Sequence, residues 1–377
     1  MRSALPNVFA AALCSVFFAL CISALAGTSA KYRLDTLAED LDYPWGLAFL
    51  PDGGILITEL GGTLRLLSPD GTPGSPIEGV PAVYRASQGG LFDVLLDPDF
   101  ARNQTLYLSY AAGDSDQNGT TVARAALRNG RLQDVSVIFT TNPSKYAPLH
   151  YGGRMILLPD DSILLTTGDG FDFREQAQVV ESELGKTIRI LRDGSATGNP
   201  FEQAPRVWSF GHRNPQGLAI AKDGTVYQHE HGPRGGDEVN IILPALNYGW
   251  PAATYGIDYN GALISPYQEL EGMEPPIHHW TPSIAPSGLA IYEADVFPEW
   301  KNSLFVGALV DREVRRLQLS DAQVIAEETL FSELDSRIRD IRVGPDGLLY
   351  ILTDGVGGAL IQVRPSHAPS VAAPGAE

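Results

Sequence analysis

The sequence predicts an all-β fold, a six-bladed β-propeller with four-stranded antiparallel blades. Two observations carry this. A single phrase, made of an apolar run, an Asp/Gly turn and a second apolar run, recurs six times along the chain. No segment sustains helical periodicity, and the plentiful Gly (39) and Pro (27) favour many turns and short strands.

The copies are, in order, GLAFLPDGGILITEL from Gly46, FDVLLDPDFARNQTLYLSY from Phe92 and RMILLPDDSILLTTG from Arg154. GLAIAKDGTVYQHE follows from Gly217, GLAIYEADVFPEWKNSLFVGAL from Gly288 and DIRVGPDGLLYILTD from Asp340. Each reads as strand, tight turn, strand. Two strands cannot cover both of their faces. A repeat of this size ordinarily carries four strands, and six such units close into a ring. A β-sandwich with incidental Pro-Asp-Gly turns is the alternative; the even spread of the phrase favours the ring. The propeller domain is expected to span residues 27–365.

The flanks are expected to stand apart from it. Arg2 precedes an apolar run from Val8 to Ala26, and Ala24–Ala26 offers the small-x-small pattern of a cleavage site. Residues 1–26 therefore read as an export signal. A membrane anchor is the rival, because the run approaches the ~20 residues that span a bilayer. A lipoprotein is disfavoured because leucines, not small residues, precede Cys14 and Cys21. Both cysteines fall in this segment, so a processed chain holds no disulfide and relies on packing. The Pro/Ala/Ser-rich tail, residues 366–377, is expected to be disordered. A periplasmic or secreted protein with no stable membrane insertion after processing is expected. The formal net charge of −18 argues against nucleic acid as a partner.

A polar residue stands upstream of the turn in four of the repeats. Gln88 lies ten residues before Pro98, and His150 nine before Pro159. Arg213 and Asn214 lie nine and eight before Lys222; Arg337 and Arg339 lie eight and six before Pro345. If the strand that follows is the innermost of its blade, these groups gather at one end of the central channel, where propellers bind ligands. The set contains one neutral base, His150, three guanidinium groups and two amides. Guanidinium forks suit carboxylate or phosphate, so three of them imply a polyanionic ligand. A histidine beside them can accept a proton near neutral pH. There is no Ser/His/Asp grouping in a G-x-S-x-G frame, and no G-x-G-x-x-G opening a strand–helix unit.

HEHGPRGGDEVNIILPALNYGWP, residues 229 to 251, is a second dense patch. Gly232–Pro233 and Gly235–Gly236 bend the backbone and can expose carbonyl oxygens, while Asp237 and Glu238 add hard oxygen ligands. That suits calcium better than zinc. A zinc reading rests on the His229/His231 pair and lacks a third ligand with evident spacing. His278 and His279 read as surface or packing residues. Asp169 and Asp172 in GDGFD read as turn residues or as part of a polar site, and Trp250 and Trp280 as packing residues.

Together, QGGLFDVLLDPDF, HYGGRM, SFGHRNPQGLAI, HEHGPRGGDEVN, NYGWP and RIRDI resemble the soluble pyrroloquinoline quinone (PQQ)-dependent aldose sugar dehydrogenases, the glucose/sorbosone dehydrogenase family. The resemblance covers nearly the whole chain after the leader. It implies a six-bladed propeller with PQQ at the channel mouth, whose three carboxylates account for the arginines. By position, it implies that Arg337 and Arg339 meet the cofactor carboxylates and that Gln88, Arg213, Asn214 and His231 line the quinone. Carbonyls of Gly232 and Pro233 would ligate a Ca2+ on the quinone, and Glu238 and Tyr248 a second, structural Ca2+. His150 would be the base that takes the anomeric hydroxyl proton as hydride passes to the quinone, with calcium and Arg213 stabilising the developing charge. The substrate would be an aldose, the product its lactone, and electrons would leave to an external acceptor.

Two positions depart from the family pattern. Val310 stands in GALVDREV where some members carry a lysine that touches the cofactor, and Arg312 is a candidate substitute. Leu149 precedes His150 where glucose-specific members have an acid, which implies broad sugar specificity. Two further classes remain open from sequence: a calcium-dependent propeller lactonase or esterase, and a non-catalytic propeller that lost its cofactor.

Overall fold

A computed structural model describes residues 32–366. The expected leader lies outside these residues, as does the expected tail beyond Ser366. The described chain forms six antiparallel sheets arranged as a six-bladed propeller. The strands Pro44–Phe49, Leu91–Leu96, Gly152–Leu157, Pro215–Ile220, Pro286–Tyr292 and Ile338–Val343 are the innermost strands of blades 1 to 6. Each is an edge of its sheet, and each touches the next in cyclic order, the sixth against the first.

The repeated turns explain the hairpins. In blade 1, Gly53 takes φ +89° and its N–H returns to the Leu50 carbonyl at 3.0 Å, while the Asp52 carboxylate accepts from Gly54 N–H. Such a φ is easily adopted by glycine and disfavoured for other residues. The sheets of blades 2 to 6 have four strands and that of blade 1 has three. In blade 1 the segment after Leu67 still runs beside Thr63–Leu67, giving N–H bonds from Gly74 and Ile77 to Leu66 and Leu64. Pro73 and Pro76 lack a donor there, so this fourth strand is irregular. The ring is closed by Tyr32–Asp42, which pairs with Val356–Pro365 as the outer strand of blade 6.

Inward-alternating side chains fill the spaces between blades. Leu56, Leu64, Leu106 and Leu108 lie between blades 1 and 2, and Phe305, Val314, Ile351 and Ile361 between blades 5 and 6. Each such fully buried side chain stabilises the fold by about 1.5–3 kcal/mol relative to exposure.

Repeat positions Gly46, Asp93, Arg154, Gly217, Gly288 and Asp340 face the axis. A side chain at Gly288 would meet the Asp340 Cα at 2.6 Å, so glycine here admits the neighbouring carboxylate. Arg154, 1% exposed, pairs with Asp340 at 3.1 Å and Asp93 at 3.4 Å and lies 4.1 Å over the Trp45 ring. Arg342 pairs with the same two carboxylates at 3.0 Å. Two guanidiniums and two carboxylates thus fill the axis with balanced charge. Axial carboxylates were not expected from sequence; both are paired with the arginines, and Asp340 Oδ1 is left buried without a partner.

Candidate active site at the propeller mouth

His150 lies two residues before the inner strand of blade 3. Its backbone takes φ +50°, a left-handed conformation disfavoured for a residue with a Cβ. Its N–H donates to Gln88 Oε1 at 2.8 Å, which ties it to blade 2. Gly168 lets the neighbouring strand pass, since a Cβ there would lie 2.3 Å from the His150 carbonyl oxygen. The imidazole Nδ1 is 2.7 Å from Asp169 Oδ1. That carboxylate fixes the tautomer with hydrogen on Nδ1 and leaves Nε2 as the basic nitrogen. Burial holds the His150 pKa below its usual value, with the opposing pull of Asp169 only partly offsetting it. That direction favours the neutral ring a base requires.

Asp169 is fully buried and fully used. Oδ2 accepts from the Trp250 indole at 2.7 Å, and Oδ1 also accepts from Phe171 N–H. The carboxylate is a positioning group, a role the sequence left ambiguous, and Trp250 does more than pack. Arg213 lies 5.3 Å over the Trp250 ring and donates to the carbonyls of Gly232 (2.6 Å) and His231 (3.1 Å) and to the Tyr259 hydroxyl (3.2 Å). Its Nε is buried without a partner. His150, Asp169, Phe171, Arg213, Pro233 and Tyr259 surround one cavity of about 370 Å³.

A second cavity of about 360 Å³ brings together Gln88, Asn214, His231, Arg337 and Arg339. Asp354 holds both arginines of blade 6, at 2.9 Å from Arg337 and 3.2 Å from Arg339. Burial would raise the Asp354 pKa, but the two guanidiniums hold it below the usual range. Trp45, Phe92 and Tyr151 supply flat aromatic wall. His231 also faces a third cavity, of about 720 Å³, together with Gly232 and Pro233. Burial, reinforced by Arg213, pushes the His231 pKa well below its usual value. This third cavity adjoins the first through Pro233 and Tyr259 and the second through His231, so the three open at one mouth.

Glu238 and Tyr248 lie elsewhere, on a small cavity of about 10 Å³ lined also by Glu269 and Glu274. Glu238 pairs across the sheet with Glu230, and Asn240 with Gln228, so all four point to one face. The side-chain oxygens of Gln228 and Asn240 are buried without partners. Burial, then the nearby Glu230, raises the Glu238 pKa well above the carboxylate range. The Tyr248 hydroxyl is committed to Ile241 O and Leu243 N, so only its carbonyl is available as a ligand. Among the described residues no three His, Cys, Asp or Glu side chains cluster as a metal site. His229 is buried with Nε2 at 3.2 Å from the Gly288 carbonyl, so the His229/His231 pair gains no third ligand of those types. Arg312 does not line the mouth; it pairs with Asp335 at 3.1 Å, its side chain 53% exposed.

Asp354 was missed as a site residue and Asp169 was left between turn and polar site, although the repeat carries the signal. In four hairpins an acid stands at the end of the second strand or within two residues of it: Glu59, Asp169, Glu230 and Asp354. Glu230 accepts from His212 and from Arg213 N–H, as Asp169 and Asp354 hold His150 and the two arginines. Acids at strand 2 thus orient bases and cations at the mouth of strand 1.

Fold and site together describe a six-bladed propeller with a histidine–carboxylate pair beside an arginine-lined cavity at its mouth. The chain belongs to the Glucose / Sorbosone dehydrogenase family, whose model matches residues 41–362. It is 39% identical over 361 residues to aldose sugar dehydrogenase YliI of Escherichia coli, covering 92% of this chain and 97% of that protein. A crystal structure of a glucose dehydrogenase superposes with a TM-score of 0.85 at 43% identity, covering 88% of this chain and 99% of the other. The PQQ-bound aldose sugar dehydrogenase of Streptomyces coelicolor superposes with a TM-score of 0.74 at 28% identity, covering 89% and 99%. Among the described residues no helix is long and apolar enough to cross a membrane.

Proposed function

We propose that this protein oxidises aldose sugars at C1 to the lactone, using PQQ held at the propeller mouth, with broad sugar specificity. The observation that carries the reading is the His150–Asp169 pair, 2.7 Å apart, beside a cavity lined by Arg337 and Arg339. The donor set fits a planar tricarboxylate: guanidiniums in excess of carboxylates, aromatic wall, and the NH2 ends of Gln88 and Asn214, whose oxygens are bonded to the N–H groups of His150 and Gly152. The orphaned Nε of Arg213 is a buried donor that a ligand would satisfy.

When bound, PQQ supplies a two-electron acceptor for the C1 hydride. His150 Nε2 takes the proton of the anomeric hydroxyl as the C1–H bond breaks with its electron pair and the C1 carbonyl forms. Asp169 holds the ring in the productive tautomer and stabilises the imidazolium that results. Arg213 places positive charge at the mouth, where charge develops on the acceptor side. The Gly232 and Pro233 carbonyls would hold Ca2+, Gly232 O being shared with Arg213 Nη1. Glu238 and the Tyr248 carbonyl, with the unpartnered amide oxygens nearby, fit a second Ca2+. Electrons then pass to an external acceptor, and the site of action is the periplasm or the exterior. The axial carboxylates needed by a propeller lactonase are already bound by Arg154 and Arg342, which disfavours that alternative.

The test is product analysis. Apo-protein loaded with PQQ and Ca2+ is given an aldose and its C1-deuterated form. The reading expects lactone in both cases and slower turnover of the deuterated sugar; a ring-opened acid formed from added lactone alone would indicate a hydrolase.

A further inference from the structure

We propose that Arg85 is a carboxylate-binding residue of the anion pocket, taking the place of the cation that Val310 does not provide. The inference rests on the PQQ reading above. Val310 is 59% exposed and lines the same cavity as Arg85, Arg337 and Arg339, so the pocket has no lysine at that edge. Arg312 is directed to Asp335 instead.

Arg85 is held by its own loop. Nη1 donates to the carbonyls of Ser87 (2.8 Å) and Gly89 (3.2 Å), and the guanidinium lies 5.9 Å from the Tyr43 ring centroid. Ser87 itself adopts φ +47°, which turns its carbonyl toward the guanidinium loop. These bonds fix one edge of the fork and leave Nε and Nη2 without protein partners, the arrangement a bidentate contact with carboxylate requires. No carboxylate of the chain pairs with Arg85 among the described residues, whereas Arg337 and Arg339 share Asp354. The cavity thus has three cations against one anion. Arg85 is exposed and is the one guanidinium of the three without a carboxylate partner among the described residues, so its charge is available to a polyanion. The loop that carries it also carries Gln88, which bonds His150 N–H, so a ligand carboxylate at Arg85 would tighten the segment behind the base.

The experiment is a binding titration without sugar. PQQ is added to apo-protein in Ca2+, and tryptophan fluorescence is read at low and high salt. The proteins are wild type, Arg85→Gln, Arg85→Lys and Arg312→Gln. PQQ trimethyl ester serves as the uncharged control. Arg85→Gln is expected to weaken PQQ binding by roughly ten-fold or more and to reduce its salt sensitivity. Arg85→Lys should recover part of the loss, Arg312→Gln should match wild type, and the ester should bind wild type and Arg85→Gln equally. Unchanged PQQ affinity in Arg85→Gln overturns the proposal. Equal loss for PQQ and ester also overturns it, because that marks a loop-ordering role. Failure of wild type to bind PQQ would defeat the cofactor reading itself, and this assignment with it.

Discussion

Trp250 donates its indole N–H to Asp169 at 2.7 Å, and the other oxygen of that carboxylate holds His150. An aromatic residue from the long excursion of blade 4 thereby sets the orientation of a base on blade 3. Trp250 is itself fixed, since its carbonyl accepts from Gln178 Nε2 at 2.7 Å and its N–H donates to the Gly211 carbonyl. Replacing Trp250 with Phe keeps the ring under Arg213 but leaves one buried carboxylate oxygen unpaired. A lost hydrogen bond to a charged group is worth about 1.5–3 kcal/mol. Steady-state kinetics should show kcat reduced by roughly 10- to 100-fold, with sugar KM little changed.

The pH profile follows from His150. Its lowered pKa means that the base is already deprotonated at the pH where an ordinary histidine titrates. The acid limb of kcat/KM is therefore expected below pH 6.5. Asp169 pulls the His150 pKa upward, so Asp169→Asn should move the limb to still lower pH. It should also cut kcat by roughly 10²- to 10⁴-fold through loss of orientation. A limb that moves upward in the variant contradicts the pairing.

The axial ion cluster makes a prediction about stability. Arg154→Met leaves Asp93 and Asp340, both fully buried, with Arg342 as their one remaining cation. Breaking a buried pair on one side costs about 3–5 kcal/mol. Chemical denaturation should report a loss of this size. A loss under 1 kcal/mol would mean that the carboxylates relax to other partners.

Calcium removal tests the Glu238 cavity separately from the mouth. A chelator should lower the melting temperature of wild type, because ligand bound only to the folded state adds stability. Glu238→Gln should reduce the chelator effect, leaving only the part that an ion at the mouth contributes. If the variant and wild type lose the same stability on chelation, the ion resides elsewhere.

Much of this was legible in the sequence because it is written in repeats. The hairpin phrase gave the blade number, and a polar residue at a fixed offset gave the mouth. Gln88, Asn214, Arg337 and Arg339 accordingly meet in one cavity, with His231, which only the family resemblance pointed to, and His150 and Arg213 meet in the next. The acids were harder to see. Asp169 and Asp354 stand within two residues of strand ends that look like ordinary turns, and their partners lie 19 and 15–17 residues away across a hairpin. Trp250 was illegible for a different reason: its partner Asp169 is 81 residues distant and lies on another blade. The irregular outer strand of blade 1 follows from Pro73 and Pro76, whose missing donors a repeat phrase does not register.

The central claim is that the mouth performs sugar oxidation through PQQ, calcium and His150. The direct measurement is reduction of an artificial dye by apo-protein lacking residues 1–26, over a panel of aldoses, with PQQ and Ca2+ omitted in turn and His150→Ala alongside. The account predicts turnover that requires both additions, falls by at least about 10²-fold in His150→Ala, and extends across several aldoses. Full turnover in His150→Ala, or dye reduction without PQQ, would contradict it.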